Sequence, residues 1–161
     1  MNRAKLTPTQ RFLAKVEKTE FCWNWTGATK GNGYGSFWFN GAVSYAHRVA
    51  WEMDNGPIPD GMLVDHLCFN HGCVNSRHMR LVTQKQNQEN RAGLRSDNTS
   101  GYRGVMWKNG AWNVYVYHNG KDIYISRHSD KEEANRAAIV ARNEHFTHNN
   151  LDRIKKKAAS V

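Results

Sequence analysis

Apolar and polar positions along the chain change period several times. Thr7-Pro8-Thr9-Gln10 opens a helical stretch: Thr7 can cap, Pro8 suits the first helical position and Gln10 can complete a capping box. Phe12, Leu13 and Val16 supply its apolar stripe, and the helix is predicted to end near Thr19. Residues 21–47 read as β-rich. Cys22-Trp23-Asn24-Trp25 alternates, Tyr34 to Phe39 resembles a strand, and Asn40-Gly41 is a two-residue hairpin signal returning through Ala42 to Tyr45. His47 to Met53 predicts a short helix stopped by the turn-rich run Asn55 to Gly61. Met62-Leu63-Val64 is a short strand running into Asp65-His66, residues 67–78 form a loop that needs an organiser, and Thr83 begins a polar helix to about Arg91.

From Gly101 the pattern is different. Gly101 to Trp107, Ala111 to Tyr117 and Asp122 to Arg127 predict three strands joined at Asn109-Gly110 and Asn119-Gly120. Ser129 with Glu132 gives a capping-box signature before a helix from about Lys131 to Phe146, with Ala134, Ala137, Ala138 and Ala141 on one face. The polar, basic residues 147–161 are expected to fray, and no repeat is present. The expected organisation is 1–92, a linker over 93–100, a second domain over 101–150 and a basic tail over 151–161.

Apolar residues make up 39% of 161 residues, so two units this small would each be marginal and a stapling device is expected. The formal charge of +9 divides into +5 for 1–95 (12 basic, seven acidic) and +4 for 96–161 (11 basic, seven acidic), so both parts favour a polyanionic partner. No apolar run reaches membrane-span length and Met1 to Val16 lacks a signal-peptide core. Three cysteines argue against a disulfide framework and for thiolate ligands. The expectation is an intracellular, cytoplasmic protein.

The chemistry concentrates in Asp65-His66-Leu67-Cys68, Cys73, Asn75, His78 and Asn87. A histidine near neutral pKa can deprotonate water for attack on a phosphodiester, and Asp65 and Asn87 offer oxygens suited to Mg²⁺ or Mn²⁺. Cys22, Cys68, Cys73 and His78 make a Cys₃His zinc set, with His71 or His47 as alternative fourth ligands. Such a site would cross-link the N-terminal part to the loop.

The order Asp65-His66, Cys68, Cys73, His78, Asn87, with Ala46-His47-Arg48-Val49-Ala50-Trp51 and Gly56-Pro57-Ile58-Pro59, resembles the His-Me finger of HNH homing endonucleases, especially the zinc-stabilised, intron- or phage-encoded type. The likeness covers roughly 20–92. It implies a ββα-metal core, His66 as general base, Asn87 as principal metal ligand, Asp65 as second ligand and the Cys₃His set as structural zinc. Asn75 matches the middle asparagine of the signature, or else serves a capping turn. Arg48 is either a phosphate contact or a surface arginine, and His47 a packed core histidine. Asparagine stands at Asn87 where the family often has histidine.

Tyr102-Arg103-Gly104-Val105, Ala111-Trp112, Ile123-Tyr124-Ile125 and Glu132-Glu133-Ala134 resemble the plant APETALA/ethylene-response-factor DNA-binding domain. That likeness implies a sheet that reads DNA, with Arg103, Lys108, Tyr115, Tyr117 and Tyr124 as contacts. Met106 and Tyr117 stand where the family often has arginine, so mainly backbone contact is expected. The alternative is ordinary cross-strand aromatic pairing.

The expected fold class is therefore α+β: a ββα-metal (His-Me finger) nuclease core followed by a three-stranded antiparallel sheet packed on one helix. The expected function is a metal-dependent endonuclease of the homing type acting on double-stranded DNA, as monomer or homodimer, with Mg²⁺ (or Mn²⁺) catalytic and Zn²⁺ structural, acting in a phage-infected cell. The alternatives are a non-catalytic zinc-stapled DNA-binding regulator and a nuclease acting on RNA.

Overall fold

The computed structural model describes residues 5–91 and 93–153; from residue 154 on, the expected basic tail lies outside the described residues. The chain is mixed α and β with small sheets, in two compact units that divide between Gln84 and Lys85.

In the first unit, helix α1 (Pro8–Leu13) starts with the expected capping box: Thr7 Oγ1 accepts from Gln10 N at 3.2 Å and Gln10 Oε1 from Thr7 N at 2.9 Å. The helix does not continue to Thr19. Val16–Lys18 instead forms β1, antiparallel to β2 (Trp23–Trp25). Cross-strand packing prevails over the helical period here: Val16 faces Trp25, and Lys18 Nζ sits 3.9 Å over the Trp23 ring. Strands β3 (Ser36–Phe39) and β4 (Ala42–Tyr45) form a hairpin whose turn takes positive φ at Asn40 and Gly41. Helix α2 (Ala46–Asn55) follows at once.

Phe12, Trp25, Phe37, Ala46, Val49, Ala50, Val74 and Met79 make the core. The Phe12 and Trp25 rings lie 4.9 Å apart, and Phe37 meets Trp25 edge-on at 5.7 Å. Gly35 passes so close to Trp25 that a Cβ would lie 2.4 Å from its ring, which excludes a side chain there. Strand β5 (Leu63–His66) pairs antiparallel with β6 (Met79–Val82), setting Asp65 opposite Arg80 and His66 opposite Met79. Helix α3 (Gln84–Glu89) begins at the divide.

In the second unit, β7 (Val105–Lys108), β8 (Ala111–His118) and β9 (Lys121–His128) form an antiparallel sheet in sequence order. Helix α4 (Lys131–His145) buries Ala134, Ala138 and Ala141, and the sheet buries Val105, Val114 and Val116. Its cap is Asp130, which accepts from Glu133 N at 2.8 Å, in place of the expected Ser129/Glu132 pair. A carboxylate there also complements the helix dipole. Residues 147–153 are not frayed. Arg142 Nε donates to Asp152 at 2.7 Å, Asn149 is fully buried, and residues 150–153 make a helical turn.

The divide falls before the expected linker at 93–100 because α3 is tied into the second unit. The Glu89 carboxylate accepts from the backbone and hydroxyl of Thr147 and from His148 N, and pairs with Lys85 at 2.8 Å.

Candidate active site and metal centre

The loop between β5 and β6 brings Cys68, Cys73 and His78 to Cys22, which lies next to β2. Their ligand atoms all fall within 4.8 Å of one another, and His78 Nδ1 is 3.8 Å from Cys22 Sγ and 3.7 Å from Cys73 Sγ. A tetrahedral zinc site with ordinary Zn–S and Zn–N bonds has edges of about 3.5–3.8 Å, so the cluster fits a zinc ion. The electrostatics agree. Burial pushes the Cys73 thiol up and the Cys68 thiol up to about 12, with the neighbouring cysteines adding to the rise. Only a cation would make these thiols ligands near neutrality.

His78 is therefore the fourth member of the cluster. The two alternatives point elsewhere: His71 stacks on Tyr34 at 4.4 Å with Nδ1 donating to the Asn32 carbonyl, and His47 packs against His66. Asn75 Oδ1 accepts from Arg77 N at 3.1 Å, capping the turn Ser76–His78 that carries this ligand.

Asp65 and His66 end strand β5, both buried. His66 Nε2 lies 3.0 Å from the Cys73 carbonyl. A carbonyl only accepts, so Nε2 carries the proton and the lone pair sits on Nδ1. Burial lowers the pKa of His66, against the opposing effects of the Cys73 carbonyl and Asp65, and so favours the neutral ring. Asp65 Oδ2 accepts from both Nε and Nη2 of Arg80 at 3.0 Å. The arrangement offers a fixed imidazole, tied to the thiol cluster through the Cys73 carbonyl, beside a carboxylate oriented by Arg80.

Residues 44–89 match the family model described as HNH endonuclease. The chain is also 43% identical over 70 residues to "Protein 7.7" of Escherichia phage T7, covering 44% of this chain and 54% of that protein. It is 40% identical over 81 residues to "Protein 2.8" of the same phage, covering 48% and 55%. The chain thus spans about half the length of these curated relatives. No solved structure matches it. No helix among the described residues is long and apolar enough to cross a membrane.

Within the HNH segment, Arg48 is half-buried on α2. Asn87 is half-buried on α3 and belongs to the second unit.

Outside the HNH segment, Lys108 is exposed on β7, and Tyr117 and Tyr124 are 58% and 53% exposed on β8 and β9. Tyr115 meets Tyr124 edge-on at 5.5 Å, the cross-strand pairing weighed from the sequence. Arg103 departs from expectation. Its guanidinium donates to the carbonyls of Gln88 (2.9 Å), Glu89 (3.0 Å) and Arg91 (3.3 Å) and lies over Phe146, so it satisfies the end of α3. Sequence reasoning missed two features of the first unit, the Arg80 partner of Asp65 and the ring cluster of Tyr34, Tyr45, His47 and His71 around His66. The short run Met79-Arg80-Leu81-Val82 does not alternate, so no local pattern signals the former. No local pattern signals the latter.

Proposed function

We propose that this chain is a divalent-metal-dependent DNA endonuclease of the His-Me finger type. The observation that carries the reading is the fixed tautomer of His66: Nε2 is held by the Cys73 carbonyl and Nδ1 is left as the basic atom. It lies inside the segment matched by the HNH endonuclease model. His66 Nδ1 accepts a proton from water as the water oxygen bonds to phosphorus. The bond from phosphorus to the 3′ oxygen breaks, the leaving oxygen takes a proton from solvent to give the 3′-hydroxyl end, the other end keeps the 5′-phosphate, and His66 returns its proton to solvent. The lowered pKa favours the neutral ring, which is the form able to accept the proton.

Asp65 is the oxygen donor beside His66 that would hold Mg²⁺ or Mn²⁺, and Asn87 is the ligand that the family resemblance implies. When bound, that ion offsets charge on the phosphate and the leaving oxygen. Arg80 orients the Asp65 carboxylate, and Arg48 contacts the phosphate backbone. Cys22, Cys68, Cys73 and His78 would hold structural zinc, which fixes the loop carrying the Cys73 carbonyl. Asn75 acts on this loop through its cap on the turn.

Double-stranded DNA is the substrate class. The sheet of the second unit adds backbone contacts through Lys108, Tyr115, Tyr117 and Tyr124, in the manner of an APETALA-like module. The likeness to phage proteins supports action in a phage-infected cell, and a homing-type role follows from the family resemblance of the motifs alone.

Plasmid cleavage by the parent and by His66→Ala, in Mg²⁺ and in EDTA, tests this. The parent is expected to cut only with the ion, and His66→Ala to be slower by about 10²–10⁴-fold. Equal cutting by both would overturn the assignment of His66. A parent that binds DNA but never cuts it is instead a zinc-stapled DNA-binding protein.

A further inference from the structure

The ring cluster around His66 holds a second imidazole that the proposed cleavage does not use. His47, near the start of α2, is 6% exposed. Its ring centroid lies 4.9 Å from His66, 5.3 Å from Tyr34 and 5.6 Å from Tyr45. Three rings therefore fix its position beside the candidate base. Its Nδ1 is sealed from solvent and has no hydrogen-bond partner among the described residues, so Nε2 is the nitrogen that keeps access to solvent.

A histidine kept here only for packing would carry an unsatisfied nitrogen that phenylalanine or leucine would avoid. A buried unpaired N–H is rarer than an under-satisfied acceptor, so the proton belongs on Nε2 and the sealed Nδ1 keeps its lone pair. Burial, with His66, Arg48 and His71 adding to it, lowers the pKa of His47 to about 3, so the ring stays neutral. A neutral imidazole in a low-dielectric site donates one hydrogen bond without the desolvation cost of a buried charge. A neutral donor beside a general base fits an oxyanion.

We infer that His47 Nε2–H donates a hydrogen bond to a non-bridging oxygen of the phosphodiester whose attacking water His66 activates. This rests on the nuclease reading and adds a substrate-contacting residue to it. A preorganised donor gains strength as charge builds on that oxygen in the transition state, so its effect falls on the chemical step more than on DNA binding.

The test uses the full chain with duplex DNA that the parent cuts, under single-turnover conditions. His47→Phe keeps a ring and removes the donor. His47→Gln restores an N–H near the Nε2 position. Each protein is assayed on all-oxygen DNA and on the two resolved phosphorothioate isomers at the scissile position, in Mg²⁺ and in Mn²⁺, so that an oxygen contacted by the ion is recognised by rescue. His47→Phe is expected to cut about 10²–10³-fold more slowly with DNA affinity within about threefold of the parent, and His47→Gln to recover at least about tenfold of that loss. One isomer should slow the parent without Mn²⁺ rescue, and that sulfur effect should shrink in His47→Phe.

A folded His47→Phe that cuts within about threefold of the parent overturns the inference while leaving the nuclease reading standing. So does a sulfur effect of equal size in both proteins. Should His47→Phe lose zinc or its circular dichroism, His47→Gln decides. If folded, it supports the inference by retaining the sulfur effect at a rate within about tenfold of the parent, and overturns it by being as slow as His66→Ala. A parent inert in Mg²⁺ removes the nuclease reading and the inference together.

Discussion

The backbone carbonyl of Cys73 holds His66 Nε2 at 3.0 Å while the thiol of the same residue sits 3.7 Å from His78 Nδ1. One residue thus belongs both to the orientation of the candidate base and to the Cys₃His cluster. Cys22→Ser or Cys68→Ser removes a cluster ligand without touching the Cys73 carbonyl. Both variants are expected to lose zinc and to cut DNA at least about 10²-fold more slowly, as a ligand loss propagates through the loop. Metal analysis alongside a cleavage assay checks this. A zinc-free variant that keeps the parent rate would uncouple the two sites.

Burial holds the Cys68 thiol at about 12 and also raises Cys73, so both are protonated in the metal-free protein at neutral pH. Zinc binding must displace these protons. Calorimetric titration of chelator-treated protein with zinc, in two buffers of different ionisation enthalpy at pH 7, is expected to show release of about two or more protons per ion. An apparent enthalpy that does not depend on the buffer would contradict the cluster as zinc ligands.

Much of the first unit was legible because its signals are local. The Thr7/Gln10 capping box and the Asn40-Gly41 turn each involve atoms a few residues apart, and both form as read. Cys22, Cys68, Cys73 and His78 were legible for another reason, since few roles other than metal binding draw those residue types together. Val16–Lys18 was misread as helix because Phe12, Leu13 and Val16 keep helical spacing, while the partners that make it a strand, Trp23 and Trp25, come later in the chain. The partners of Arg103 were illegible for a similar reason: the carbonyls of Gln88, Glu89 and Arg91 that accept from it lie 12–15 residues earlier in the chain. The packing of His47 on His66 joins α2 to β5, and no short pattern encodes a contact between two such elements.

Arg103 and Lys108 are expected to separate cleanly on mutation. Arg103→Ala leaves the carbonyls of Gln88, Glu89 and Arg91 without their donor and should destabilise the second unit by about 2–3 kcal/mol. It should leave the salt dependence of DNA affinity unchanged in the folded protein. Lys108→Ala, at an exposed position, should leave stability within about 0.5 kcal/mol and lower the log–log salt slope by about one. Thermal unfolding and salt titration of DNA affinity measure both. A slope change in Arg103→Ala at full stability would return that residue to the contact surface.

Acid should loosen the second unit through two buried carboxylates. Burial pushes Asp152 up, but the Arg142 guanidinium and the Asn149 amide outweigh it and hold the carboxyl below its ordinary value. Burial likewise raises Glu89, while Lys85, His148 N–H and Thr147 bring it below the usual range. A carboxylate whose folded pKa is depressed stabilises the fold above its unfolded pKa, about 4, and loses that contribution as pH falls through the folded value. Amide exchange in α4 is therefore expected to be insensitive to pH-dependent unfolding from neutrality to about pH 5, and to show falling stability below about pH 4. Asp152→Asn should weaken that acid dependence while lowering stability at pH 7 by about 3 kcal/mol, because Arg142 would remain buried without its counter-charge. The same steep acid loss in Asp152→Asn and in a Glu89→Gln companion would show that neither carboxylate is responsible.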